Sequence, residues 1–261
     1  MSLRPDSSSV TRQAVILAGG KGSRLGPYTT VLPKPLLPVG DDAILDVVVR
    51  QLRGHGFTNL VFAVGYLAHL IRAVFADGSH HGVDIRYHEE TQPLGTAGPL
   101  ADIDGLDDTF LLMNGDVLTT LDYSQLFEAH KASGNVLTIA THRRVVRTEY
   151  GVLHLDGKQH STQRVIGYEE KPEIPYIVSM GIYVVEPAAL EYIRPDEPMQ
   201  LPDLVLNLID DGHEVGSYLY EGFWLDIGRH EDYERAIMEY ESLKPLLGLD
   251  APLPPLETRV R

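Results

Sequence analysis

Cysteine is absent from the 261 residues, which removes disulfides, thiolate metal sites and cysteine nucleophiles and suits a reducing compartment. Cations are scarce as well: 22 lysines and arginines stand against 37 aspartates and glutamates, a formal net charge of −15. Such a surface repels polyanions, so polymeric nucleic acid and anionic membranes are poor partners, and any anionic ligand must meet a local cluster of cations. No apolar run is long enough to span a membrane, and "AVILA" at 14–18 is shorter than the core of a secretory signal, so a cytoplasmic location is expected. Solenoid repeats are missing, and the only low-complexity tract is Ser7, Ser8 and Ser9. The eleven histidines show no H-E-x-x-H or comparable ligand spacing, and the adjacent His80 and His81 are expected on the surface.

What is present is an ordinary globular balance, 43% hydrophobic and 23% charged, in a chain long enough for one main fold. Short apolar runs alternate with helical patterns through the first half. "QAVILA" reads as a buried strand; "AILDVVVRQLRGHG" follows with Ile44, Leu45, Val48 and Leu52 at helical spacing, Asp41 and Asp42 before it, and Gly54 and Gly56 behind it. "NLVFAVG", "VDIRYHEE" and "TFLLMNGD" read as further strands, with "LAHLIRAVFADG" and "YSQLFEAHKASG" as helices. This βαβ alternation predicts an α/β, Rossmann-like, mainly parallel sheet covered by helices on both faces, with ligands at the carboxyl ends of its strands. From Asn135 the pattern turns β-rich, predicting strands that line a second, substrate-facing part. A last amphipathic helix is expected to present Tyr233, Ile237 and Tyr240 on one face, before a proline-rich tail.

The stretch "LAGGKGSRLG" places four glycines and two cations directly after the first strand. It matches neither the dinucleotide fingerprint, since Leu25 stands where the third glycine belongs, nor the Walker pattern. Glycines there allow a tight turn and close approach of a phosphate or a flat base to backbone N–H groups. Lys21, Arg24 and Lys34, the last held between Pro33 and Pro35, supply charge for a polyphosphate. Taken alone, the segment reads equally well as a glycine-containing loop with surface cations. Asp116, closing a very apolar run, calls for a counterion but also suits a turn or a helix cap.

The longer pattern "LAGGKGSRLGPYTTVLPKPLLPV" resembles the signature of the sugar-1-phosphate nucleotidylyltransferases, with Ser23 in place of the usual threonine and Tyr28 of the usual leucine. "PLGTAG" at 93–98, "NGD" at 114–116, "YGV" at 150–152, "EKP" at 170–172, "GIYV" at 181–184 and "WLDIGRHEDY" at 224–233 follow in family order. The resemblance implies a nucleotidyltransferase domain over 14–245, divided into a nucleotide-binding half (14–134), a sugar-binding half (135–228) and a C-terminal helix (229–245). Residues 1–13 would be a flexible segment and 246–261 a loose tail, with no C-terminal β-helix.

By that resemblance the substrates are a nucleoside triphosphate and a sugar 1-phosphate, and the cofactor is Mg²⁺ held by Asp116 and Asp226. Arg24, Lys34 and Lys171 would bind phosphates. Leu17, Gly19, Gly20, Gly22, Ser23, Gln92, Gly95 and Thr96 would bind the nucleotide, and Gly151, Glu170, Lys171 and Ser179 the sugar phosphate. Ser179 stands where many relatives have asparagine, and without the family "YEEKPE" reads as a solvated turn and Gln92 as a surface glutamine. "PLGTAGPL" is similar to enzymes that use GTP with a mannose- or heptose-type sugar; dTTP- or UTP-dependent glucose-1-phosphate relatives share much of it. A catalytically weak nucleotide-sugar-binding subunit is the alternative from another class, although Arg24, Lys34, Asp116, Lys171 and Asp226 are all present. A dehydrogenase on the same fold lacks its fingerprint, and a homo-oligomer is left open.

Overall fold

The computed structural model describes residues 11–157 and 163–249. In chain order the elements are β1 (Arg12–Ala18), β2 (Pro38–Val39), β3 (Asp42–Ala43), α1 (Ile44–Gly54), β4 (Phe57–Val64), α2 (Ala68–Phe75), β5 (Asp84–Glu89), β6 (Phe110–Asn114), β7 (Val117–Thr119) and α3 (Tyr123–Ser133). The second half holds β8 (Leu137–Arg147), β9 (Val152–Leu155), β10 (Val165–Glu169), β11 (Glu173–Val185), α4 (Pro187–Leu190), α5 (Leu201–Asp210), β12 (Val215–Tyr220), β13 (Trp224–Asp226) and α6 (His230–Leu243).

Seven strands form one sheet in the order β12-β8-β11-β6-β1-β4-β5. Within it β11 runs antiparallel to both its neighbours, β6 and β8, and the other pairings are parallel. The α/β, mainly parallel expectation therefore holds, and no β-helix occurs among the described residues. Period-two alternation along β1 explains why a continuous apolar run was needed. Ala14, Ile16 and Ala18 join a core with α1, α2 and α3, whereas Val15 joins the opposite core with Leu201, Leu204 and Leu208 of α5.

The strands expected after Asn135 divide between sheets: β8, β11 and β12 join the main one, where Leu137, Ala140 and Ile182–Val185 are buried like the first-half strands, and β9 and β10 pair with each other. Two expectations need correction. On α6 the inward face is Tyr233, Ala236, Tyr240 and Leu243, with Ile237 46% exposed; one residue of helical rotation separates the two readings. His81 is buried, with Nε2 2.8 Å from Asp46 Oδ1, where α1 covers it. Gln13, the first residue of "QAVILA" and the last of the expected flexible segment, is fully buried in β1, donating to Gly105 O at 3.2 Å and accepting from Asp107 N at 2.8 Å. Of the expected terminal segments, 1–10 and 250–261 lie outside the described residues, and within the expected loose tail Leu247 and Leu249 are buried.

A third core, containing Leu25, Leu37, Val39, Leu225, Ile227, Tyr233 and Tyr240, lies under α6. It holds the chain directly after Arg24, at Leu25, and on both sides of Asp226, at Leu225 and Ile227, so packing, and not loop chemistry alone, sets where those charges stand.

Helix α5 offers a direct check on the layers. Leu204→Ala, at a fully buried position, is expected to cost about 2–5 kcal/mol in urea unfolding, and Leu206→Ala, 57% exposed, within about 0.5 kcal/mol of zero. Equal effects would mean that the helix presents a different face.

Candidate active site

Four adjacent parallel strands end level. Ala18 of β1 pairs with Val64 of β4, Val64 pairs with Glu89 of β5, and Leu17 pairs with Asn114 of β6. The next residues are stitched together by backbone hydrogen bonds: Gly115 N to Leu17 O at 2.9 Å, Tyr66 N to Gly19 O at 3.1 Å and Glu90 N to Val64 O at 2.9 Å. Gly19, Gly65, Glu90, Gly115 and Asp116 thus line up along one sheet end.

Above that end opens a cleft of about 750 Å³. Of the residues expected at the nucleotide, Leu17, Gly19, Gly20, Gly22, Gln92, Gly95 and Thr96 line it, together with Arg24, Lys34 and Asp116. Ser23 is not among the lining residues; it starts a short 3-10 turn whose next residue, Arg24, does line the cleft. Gly22 adopts φ +60°, and a Cβ there would lie 3.0 Å from Lys34 Cβ and from Thr29 Cγ2. The glycine therefore lets the loop lie against the lysine it helps to position.

Two expected roles acquire a different local cause. A Cβ at Gly95, with φ +81°, would come 2.4 Å from Met199 O, so packing against the segment before α5 already demands glycine. Thr96 Oγ1 accepts from Leu201 N at 2.8 Å and donates to Gln200 Oε1 at 3.2 Å, which places its hydroxyl at the start of α5. Glu90 and Tyr66 also line the cleft and were missed. Glu90 was within reach of the rule applied to Asp116, since it too follows directly on a strand. Its carboxyl is held above the usual range by burial, partly countered by the Leu94 amide 3.5 Å from Oε2.

The charges gather at the other end. Lys34, buried, forms an ion pair with Asp116 Oδ2. Asp116 Oδ1 is buried and has no hydrogen-bond partner. Asp226 is brought beside Asp116 by the antiparallel β7–β13 pair, in which it faces Val117, and by Ile227 N donating to Asp116 O at 3.1 Å. The Asp226 carboxyl lies above the usual range, first through desolvation and then through the Asp116 charge, against the pull of Lys34 and Arg24. An orphaned carboxylate oxygen beside a second, mutually repelled carboxylate is what a hard divalent cation would satisfy; Mg²⁺ is commonly held by one or two carboxylates plus substrate oxygens.

The expected sugar residues lie apart from this cleft. Gly151, Glu170, Lys171 and Ser179 are not among its lining residues. Lys171 is exposed with φ +46°, and Glu170 Oε2 accepts from the Tyr168 hydroxyl at 2.7 Å across from Gly151. Ser179 sits at a bulge: β11 steps from Ser179↔Thr141 to Tyr183↔Ile139, and Ser179 Oγ meets the Tyr183 hydroxyl at 3.0 Å. That bulge presses Gly181 against Asn114 and points Met180 O at Trp224 Nε1, 3.1 Å away. A second, smaller cleft of about 420 Å³ opens on the Asp226 side and shares Arg24 with the first.

The family model for nucleotidyl transferases matches residues 13–242. The chain belongs to that family. Among its relatives is a UTP-glucose-1-phosphate uridylyltransferase of Synechocystis sp., 33% identical over 245 residues, covering 86% of this chain and 62% of that one. A mannose-1-phosphate guanyltransferase of Schizosaccharomyces pombe is 33% identical over 230 residues, covering 85% and 62%. The chain thus spans a little under two thirds of the length of these curated relatives. A UDP-glucose pyrophosphorylase structure complexed with UDP-glucose aligns at TM-score 0.68 and 17% identity over 89% of this chain and 99% of that one. HddC from Yersinia pseudotuberculosis aligns at 0.67 and 24% over 88% and 100%. Both show that this family member shares their fold.

Because desolvation and repulsion outweigh attraction at Asp226, the ionised carboxylate opposes folding when no cation is bound. Asp226→Asn is expected to raise the urea midpoint in the presence of a chelator at pH 7, and added Mg²⁺ is expected to raise the midpoint of the wild type but not of the variant. An unchanged or lowered midpoint in chelator would show that the two aspartates do not repel.

Proposed function

We propose that the protein transfers a nucleotidyl group from a nucleoside triphosphate to a sugar 1-phosphate, giving a nucleotide-diphosphate sugar and pyrophosphate. The observation that carries this reading is the convergence of Arg24, Lys34, Asp116 and Asp226 at the end of a long cleft whose other end is lined by glycines and Glu90. An anionic oxygen of the sugar phosphate attacks the α-phosphorus, the new P–O bond forms, and the bond to the departing pyrophosphate breaks. The attacking oxygen already carries charge, so the chain needs no protein nucleophile or strong base. Its task is to align two polyanions and neutralise them. Lys34 and Arg24 supply fixed positive charge at the phosphates. Asp116 and Asp226 would hold Mg²⁺, which neutralises phosphate oxygens when bound. Lys171, Glu170, Gly151 and Ser179 would take the sugar phosphate.

Glu90 favours GTP. A carboxylate in the cleft would repel phosphates, so it faces the base or ribose end. Guanine offers it two adjacent donors, N1–H and the exocyclic amino group, whereas uracil and thymine offer one N–H between two carbonyls. The two donors would offset the cost of keeping Glu90 ionised in a half-buried position. A mannose- or heptose-type sugar 1-phosphate accompanies GTP in this reading, in the cytoplasm.

The test is pyrophosphate release with GTP, UTP, dTTP and ATP, each against a panel of sugar 1-phosphates and Mg²⁺. Turnover is expected, with GTP preferred; silence throughout combined with tight nucleotide-sugar binding would favour a regulatory subunit instead. Asp116→Asn is expected to cut kcat on the order of a hundredfold or more. Glu90→Gln is expected to lower kcat/KM for GTP about ten- to a hundredfold relative to UTP. Equal loss with both nucleotides would remove Glu90 from base selection.

A further inference from the structure

The smaller cleft brings together Arg24, Arg144, Tyr176, Trp224, Asp226 and Arg229. Arginines on the outer part of β8 differ in one respect. Arg143 pairs with Glu221, Nε to Oε1 3.3 Å, and Arg147 with Glu173, Nε to Oε1 2.8 Å. Arg144 has no carboxylate partner among the described residues; its guanidinium lies over the Trp224 ring, 5.4 Å from the centroid. Trp224 is itself fixed, by its Nε1–H to Met180 O and by the β7–β13 pairing, with His142 against its ring at 5.4 Å. Tyr176 stands opposite Arg144 in the β8–β11 register. Trp224 and Asp226 project on the same side of β13, two residues apart. A stacked, pre-oriented guanidinium whose donors meet no acceptor among the described residues thus faces the same cleft as Asp226 and Arg24.

Such a group, in a chain of net charge −15, has the form of an anion receptor: stacking fixes the plane of the fork and leaves its edge N–H groups for two oxygens. We propose that Arg144 is a binding residue for the phosphate of the incoming sugar 1-phosphate, delivering that phosphate to the Asp226 side of the site while Arg24 spans both substrates. The inference rests on the transferase reading and adds a residue that no motif of the sequence singled out.

Wild type, Arg144→Ala, Arg144→Lys and Arg143→Ala are compared with the nucleotide and sugar 1-phosphate pair that wild type uses best. In Arg144→Ala the KM for the sugar 1-phosphate is expected to rise about tenfold or more, while the KM for the nucleotide stays within about twofold. Arg144→Lys should restore part of the loss, and Arg143→Ala should leave both constants unchanged. A sugar-phosphate KM unchanged in Arg144→Ala, or equal rises for both substrates, overturns the assignment and leaves the transferase reading standing. If wild type turns over no pair, that reading fails on its own, and calorimetric titration with inorganic phosphate decides the cleft. Weaker binding by Arg144→Ala, by about fivefold or more, supports the anion site; equal binding, or none by wild type, overturns it.

Discussion

Two carboxylates and a lysine meet at the end of a parallel sheet, and most of the structure is arranged around keeping them there. Asp116 follows β6 directly, Lys34 comes from the loop after β1, and Asp226 from a two-strand ribbon late in the chain. Their meeting depends on β1 and β6 ending level, so that Gly115 N can reach Leu17 O, and on Asp226 pairing across to Val117. A one-residue slip in either pairing would turn each side chain to the opposite face. The cores on both faces of the sheet resist that slip, because β1 is buried on both sides. The third core under α6 does the same for the strand carrying Asp226.

The first half of this arrangement was legible in the chain because its signals are local. A buried strand, a glycine turn and a helix at 3.6 spacing announce themselves within about twenty residues, and the rule that ligands lie beyond strand carboxyl ends then selects Gly19 to Lys34 and Asp116. The same rule reaches Glu90, which went unnoticed because the glutamine two residues later matched a motif. What local pattern does not contain is pairing at long range. Nothing in "NVLTIATHRR" says that β8 will add to the main sheet beside an antiparallel β11, nor does "WLDIG" say that it will lie against β7. Burial of His81 likewise depends on Asp46 in a distant helix, and the Ile237 error shows how little separates one helical face from the next.

Glycine and threonine in the 93–98 segment carry a related lesson. Gly95 and Thr96 line the cleft, yet Met199 O and the first amide of α5 already account for why those residue types stand there. Motif membership therefore mixes residues that touch a ligand with residues that hold the loop that touches it. The distinction needs coordinates, since both kinds recur at the same spacing.

Lys34 has two demands on one charge. With no cation bound it neutralises Asp116 within a buried ion pair, and in that arrangement it is not free to meet a phosphate. A triphosphate entering alone would bring further negative charge to a site where Asp116 and Asp226 already repel each other. Arg24, which faces both clefts and has no ion-pair partner among the described residues, is a cation still available to both. On the transferase reading, electrostatics would couple the binding of nucleotide and divalent ion: with a cation taking over the charge of Asp116, Lys34 would turn to the phosphate, and each ligand would strengthen the hold on the other by the same factor. The orphaned Oδ1 of Asp116 is the atom on which that exchange turns.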